Sequence, residues 1–397
     1  MSGSNGFALM TAPRVAISAL VLALCYYYAF AGQLLQSSEF ILPSGKQVGG
    51  DFIAFWAAAR ASVSGGAALA YDPVYFETLL LDIGPPRDGF FLTWQYPPTY
   101  YLAVSFLALL PFGLGYAVWT GGGLAIFAAT ARASGLKGAP FWIVLAAPAV
   151  FLGAATGQNG FFTASLLAGA ALLARDRPIA AGLCAALLTM KPQLGLLIPI
   201  AYMAGGCWRA FIVAAVGSAA LALASVVAYG PAPWVAFFES VIGVSHQVGA
   251  GAMPLFKMPT LYSAFAIVGA PKALALVIHG LGALSAIFIV AFVWRRTDDA
   301  ALRAGVVAAG TFFVSPYIYF YELTILLIPL ALLAIRARDE GWLRNDQVLL
   351  TAAYIAPIFL LSFKTFNLGV LASAFAFIFV LERVRLLERG ARRSAAS

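Results

Sequence analysis

A chain of 397 residues with 62% hydrophobic and 10% charged side chains has a mean hydropathy of +0.91, where soluble domains carry about 45–50% apolar and 25% charged residues. This excludes a water-soluble fold and predicts an all-α, polytopic membrane protein, since about 20 apolar residues cross a bilayer and the chain holds material for about 12 passes. The formal charge of +8 does not point to nucleic acid, because the basic residues stand singly or in pairs at the ends of apolar stretches, which is a topology signal.

In chain order, apolar segments are predicted over 15–35, 99–112, 115–131, 139–155, 161–174, 179–190, 194–206, 209–229, 273–294, 300–315, 319–335, 347–361 and 368–381. The first has no small-residue cleavage signal at its end and reads as a retained helix. The tail over 382–397 carries Arg383, Arg385, Arg389, Arg392 and Arg393, which sets it in the cytoplasm; the basic connections at Arg175/Arg177, Arg209, Arg295/Arg296 and Arg336/Arg338 agree. With both termini inside, one early segment must fail to span. The short, proline-ended 99–112 is the natural re-entrant candidate.

The chain then reads as one transmembrane domain with two external elaborations. The loop over 36–98 contains two amphipathic pieces, 52–64 and 74–81, expected to lie on the membrane surface. The loop over 230–260 carries Glu239, His246 and Lys257. Cys25, Cys184 and Cys207 lie in apolar runs without CxxC spacing and imply no disulfide frame. The two histidines, His246 and His279, are too few for a histidine metal site or a Ser-His-Asp triad, and His279 reads as a hydrogen-bonded packing residue. No cofactor is called for; a divalent metal is not demanded, because the outer acids are scattered and a lysine can do the charge work.

Polar groups at a membrane boundary that topology does not require are the informative ones. Asp51, after Gly49-Gly50, reads either as a helix N-cap or as a general base. Tyr96, in Trp94-Gln95-Tyr96-Pro97-Pro98, reads as interfacial belt or as a ring that stacks on a sugar. Gln158 and Asn159, between Gly157 and Gly160, are a polar turn or recognise hydroxyls. Lys191, before Pro192 and Gln193, runs against the inside bias of basic residues and suits a phosphate at membrane depth. Tyr317, Tyr319, Tyr321 and Glu322 follow Ser315-Pro316, and Glu322 costs free energy there unless paired or wetted. Lys257, His246 and Lys364 are the remaining external cations and titratable groups, each readable as a solvated loop residue.

The ordered set Asp51-Phe52-x3-Trp56, Gly66 with Tyr71-Asp72-Pro73, Tyr96-Pro97-Pro98, Gly157-Gln158-Asn159, Lys191-Pro192 and Ser315-Pro316 resembles glycosyltransferase family 87, over about two thirds of the chain. That resemblance implies the GT-C architecture and similarity to polyprenyl-phosphate-mannose-dependent α-mannosyltransferases. It implies a polyprenyl-phosphate sugar donor, a lipid or glycan acceptor, and chemistry at the outer face of a bacterial inner membrane. Asp51 is then the catalytic base, with Lys191 and Lys257 at the donor phosphate. Tyr96, Gln158, Asn159, Gln193, Tyr319, Tyr321 and Glu322 would bind sugar or acceptor. Mycobacterial members carry histidine shortly after the Ser-Pro motif, where this chain has tyrosines and Glu322, so that histidine's role is not carried over. A lipid-linked sugar transporter or flippase is the competing class, since it also needs broken helices and polar groups. Polar groups gathered on one face, not at the midplane, argue against it.

Overall fold

The computed structural model describes residues 12–81, 92–249, 254–359 and 369–394. The described chain is helical, with isolated bridges Ser38↔Ile41 and Ile41↔Gln47 just before the first short helix. Among the described residues, five helical runs are long and apolar enough to cross a membrane: Pro13–Leu35, Phe112–Ala133, Trp208–Tyr229, Lys272–Arg296 and Phe320–Glu340. A sixth forms if Gly138–Leu145 and Pro148–Thr156, bent by 42°, count as one span.

The other expected passes are shorter. Gly160–Leu172, Pro178–Leu188 and Ala300–Val314 hold 13, 11 and 15 residues. At 1.5 Å per residue such helices fall short of a hydrocarbon core of about 30 Å. The apolar runs alone suggested about 12 passes because hydropathy counts residues and does not see where a proline or glycine ends a helix. The expected re-entrant stretch is a broken helix over Pro98–Leu109, made of the turns Pro98–Tyr100, Tyr101–Val104 and Ser105–Leu109.

Two large apolar cores hold the fold. In the larger, Phe161, Ala164, Leu167, Ala168 and Ala171 meet Ala304, Val307 and Ala308 of Ala300–Val314 and Leu323 and Ile328 of the last long run. Small side chains there let the helix backbones approach closely, which is how membrane helices gain contact without a hydrophobic driving force between them. The smaller core is aromatic: Phe52, Phe55, Trp56, Trp94, Tyr100, Tyr101 and Trp119.

The helix Phe52–Val63 belongs wholly to this aromatic core. It was expected to lie on a membrane surface with one wet face, but ten of its twelve residues are buried. The reason is in its composition, FIAFWAAARASV, in which Arg60 and Val63 alone face outward and alanines permit contact all round. Arg60 stacks on Trp56 at 4.7 Å.

The basic tail also takes part in packing. The last helix runs unbroken over Gly369–Ser394, and Arg383 is buried and paired with the fully buried Asp346. Removing one partner of a buried pair typically costs about 3–5 kcal/mol. Arg383→Met therefore lowers the unfolding temperature in detergent by several degrees, whereas Arg385→Met, at an exposed position, stays within about 0.5 kcal/mol of the parent.

Candidate active site

The site lies where the two cores meet, at the loop Gly157-Gln158-Asn159-Gly160. Gly157 ends the helix Pro148–Thr156 in the left-handed region, φ +63°, as helix C-termini often do. A Cβ on Gly157 would lie 2.6 Å from Phe52 Cβ, and one on Gly160 would lie 2.7 Å from the Tyr321 carbonyl oxygen. The loop is thus pinched between the turn that carries Asp51 and the segment that carries Glu322. Three hydrogen bonds fix it there: Asp51 N–H donates to Thr156 O at 3.0 Å, Tyr116 O–H to Ala154 O at 2.7 Å, and Thr324 O–H to Gly160 O at 3.1 Å.

Among the described residues, three aspartates each stand directly before a helix, and Asp51 differs from the other two. Asp299 caps Ala300–Val314, its Oδ1 accepting from Leu302 N at 2.7 Å. Asp72 caps Pro73–Leu81, its Oδ1 accepting from Val74 N at 2.8 Å and Tyr75 N at 2.9 Å. Asp51 makes no capping bond to the helix that follows it. Its Oδ2 instead accepts from Gln158 Nε2 at 2.7 Å. The Asp51 carboxylate is thus turned away from the helix start and toward the Gln158 amide.

From Asp51 a chain of polar side chains runs inward. Gln158 Oε1 accepts from Asn159 N at 3.3 Å. Asn159 Nδ2 donates to the Tyr100 hydroxyl at 2.7 Å and to the Tyr96 hydroxyl at 3.4 Å. Asn159 Oδ1 accepts from Lys191 Nζ at 2.9 Å. Lys191 Nζ is ion-paired with Glu322 Oε1, and Glu322 Oε2 accepts from Thr163 Oγ1 at 2.8 Å. The rings of Tyr321 and Tyr96 flank the Lys191 ammonium at 4.8 and 5.5 Å, within the range of a cation–π contact. Tyr319 stacks on Tyr321, ring centroids 5.6 Å apart and 6° from parallel.

The Asp51 carboxyl is half-buried, set deep among protein atoms with part of its surface open. Burial pushes its pKa above the ordinary carboxylate value, and the Gln158 hydrogen bond, then Lys257 and Lys191, pull it back down. Lys257, at the end of the turn Leu255–Lys257, is therefore within electrostatic reach of Asp51. That turn is anchored by buried Met258 and Thr260, the Thr260 hydroxyl donating to Pro316 O at 3.2 Å.

The structure thus gathers Asp51, Tyr96, Gln158, Asn159, Lys191, Tyr321 and Glu322, with Tyr319 and Lys257 close by. Gln193 lies two residues past Lys191 on Pro192–Gly195 and makes no hydrogen bond to this network. Lys191, expected at a donor phosphate, is buried and paired with Glu322. The acid at 322 escapes the cost expected of it through that pair and Thr163. Lys364 lies outside the described residues. Tyr100 and Thr163 were not singled out in the sequence, although Thr163 stands four residues after Asn159, on the same helix face, and Tyr100 four after Tyr96.

Other motif residues are scaffold. Trp56 Nε1 donates to Leu110 O at 2.9 Å, and the Tyr71 hydroxyl donates to Tyr96 O at 2.6 Å, so Tyr71-Asp72-Pro73 holds the Tyr96 segment. His279 is buried in the N-terminal half of Lys272–Arg296, and neither ring nitrogen has a hydrogen bond of normal geometry. Among the described residues no three His, Cys, Asp or Glu side chains gather to hold a metal ion.

The family model of glycosyltransferase family 87 matches residues 94–316. The matched stretch takes in Tyr96, Gln158, Asn159, Lys191, Lys257 and Ser315-Pro316 and stops short of Asp51 and Glu322. No curated protein and no solved structure matches the chain. The matched stretch covers more than half of the sequence, and the chain belongs to glycosyltransferase family 87.

Proposed function

We propose that the protein moves a hexose or pentose from a polyprenyl-phosphate donor to a hydroxyl of a lipid or glycan acceptor, inverting the anomeric carbon, at the outer face of a bacterial inner membrane. One observation carries the reading: Asp51, half-buried and excused from capping its helix, is joined through two amides to a buried lysine, in a glycosyltransferase whose helices are apolar enough to cross a bilayer. A base and a cation held a fixed distance apart suit a reaction in which a proton leaves the acceptor while negative charge builds on a leaving phosphate.

In that reaction Asp51 takes the proton of the acceptor hydroxyl. The acceptor oxygen forms its bond to the anomeric carbon from the face opposite the lipid phosphate. The bond between that carbon and the phosphate oxygen breaks, and its electron pair leaves with the polyprenyl monophosphate. Lys191 and Lys257 stabilise the charge that accumulates there, an interaction stronger in the transition state than in the ground state. Tyr96, Tyr319 and Tyr321 offer flat faces and hydroxyls to the sugar, and Asn159 offers an amide. A lipid-borne leaving group accounts for a site built between apolar cores.

A base works ionised, so activity rises as pH rises through the Asp51 pKa, which burial has raised. Gln158 stabilises the anion, and a hydrogen bond to a charged group is worth about 1.5–3 kcal/mol. Gln158→Leu therefore moves the acidic limb of the rate profile upward by about one pH unit or more. A limb that stays in place would detach Asp51 from the proton transfer. The donor is tested by supplying a polyprenyl-phosphate sugar to the reconstituted protein and following both the glycosylated acceptor and the released polyprenyl phosphate.

A further inference from the structure

Lys191 is not a bare ammonium in this fold. It is 5% exposed and Glu322 1% exposed. Glu322 is itself pinned, because its second oxygen holds the Thr163 hydroxyl at 2.8 Å. Lys191 is pinned on its other side by Asn159. A buried charge without a partner is strongly unfavourable, and a lysine that meets a lipid phosphate must spend part of each cycle without one. Glu322 occupies that part of the cycle.

The same carboxylate opposes whatever anion comes to Lys191. Its opposition is unequal. A sugar-bearing donor phosphate is a diester with a single negative charge, whereas the released polyprenyl monophosphate is a monoester, with a charge of about −1.5 to −2 near neutral pH. A lysine without a resident carboxylate would hold product more tightly than donor. With Glu322 in place, repulsion falls most heavily on the product.

We propose that Glu322 is a resident counter-ion of Lys191: it keeps the ammonium paired and in position while the donor site is empty, and it limits the affinity for polyprenyl monophosphate so that product leaves. This rests on Lys191 meeting the donor phosphate, and Glu322 acts only through Lys191.

The test measures binding of a polyprenyl monophosphate by its effect on the unfolding temperature of the full-length protein in lipid nanodiscs, which also reports folding. Glu322→Gln is expected to bind it about 10-fold more tightly than wild type, since removing a like charge at contact range is worth at least that factor. Glu322→Asp, whose shorter carboxylate draws back from Nζ, is expected to bind it about 3-fold more tightly, and it decides the matter alone if Glu322→Gln does not fold. In turnover, Glu322→Gln lowers kcat and the donor KM together and strengthens product inhibition, a pattern that mere loss of structure does not give. The double variant Lys191→Met/Glu322→Gln replaces the pair by neutral groups of similar volume, which folds commonly tolerate, and is expected to bind about 10-fold more weakly than wild type. A double variant that binds as wild type does removes Lys191 from the phosphate, and the proposal with it. A weak double variant combined with single Glu322 variants that bind no tighter than wild type overturns the counter-ion role and leaves Lys191 at the phosphate.

Discussion

Asp51→Asn is expected to lower the turnover of sugar transfer by about 100-fold to 10,000-fold, the usual worth of a positioned general base. The substitution is nearly isosteric, and an asparagine carbonyl oxygen in the place of Oδ2 still accepts the 2.7 Å bond from Gln158. The helix Phe52–Val63 loses no cap, because Asp51 provides none. The fold and the donor KM therefore stay close to wild type while kcat falls, which separates a chemical role from a scaffolding one. Initial rates at saturating donor, together with the unfolding temperature, check this. Near-normal turnover would show that the proton goes elsewhere.

Gly157→Ala is the second large effect, and it acts without touching a reacting group. An L-residue in the left-handed region at φ +63° pays about 1–2 kcal/mol. The new methyl would meet Phe52 Cβ at 2.6 Å, Tyr116 Cε2 at 2.9 Å and the Gly49 carbonyl oxygen at 3.0 Å, and such overpacking adds about 1–3 kcal/mol. Relief comes only by moving the loop or the turn that bears Asp51, and a misplacement of about 1 Å at a reacting centre can cost about 100-fold in rate. Gly157→Ala thus loses both activity and stability. Gly121→Ala, on the long helix Phe112–Ala133 where an added Cβ meets nothing within 4 Å, gains about 0.5–1 kcal/mol and keeps its activity. Equal behaviour of the two variants would remove the packing argument.

The sequence made the class of protein legible through hydropathy, and most segment boundaries fell within a few residues of helices such as Trp208–Tyr229 and Lys272–Arg296. Helix length escaped it. Stretches such as 179–190 are apolar enough to count as passes, but Pro178 opens and the Thr189–Lys191 turn closes the helix within 11 residues. The burial of Phe52–Val63 also escaped, because a run of alanines looks like a weak amphipath until neighbours close on both sides.

At the site, the scarcity of charge made candidates readable one at a time, and partnership was the part withheld. Glu322 stood out as an acid that needed a partner, and Lys191 as a cation on the wrong side. That each is the other's partner depends on a contact across a sequence separation of 131 residues and on two glycines that let three backbone segments touch. Asp51 offered a cap and a base as equal readings from sequence; the carboxylate orientation toward Gln158 is what distinguishes it from Asp72. Gln193, next in line after a proline, looked as eligible as Gln158 and differs only in what lies beside it.

The central claim is that sugar passes from a lipid phosphate to an acceptor on one face of the membrane. It is tested most directly in sealed proteoliposomes that contain the purified protein and a lipid extract as acceptor, with a radiolabelled polyprenyl-phosphate sugar added and no ion gradient. Labelled acceptor and free polyprenyl monophosphate are predicted to appear in equal amounts, at a rate that Asp51→Asn lowers by about 100-fold or more. Intact labelled donor accumulating on the far side of the vesicle, or transfer from a nucleotide sugar alone, would contradict it.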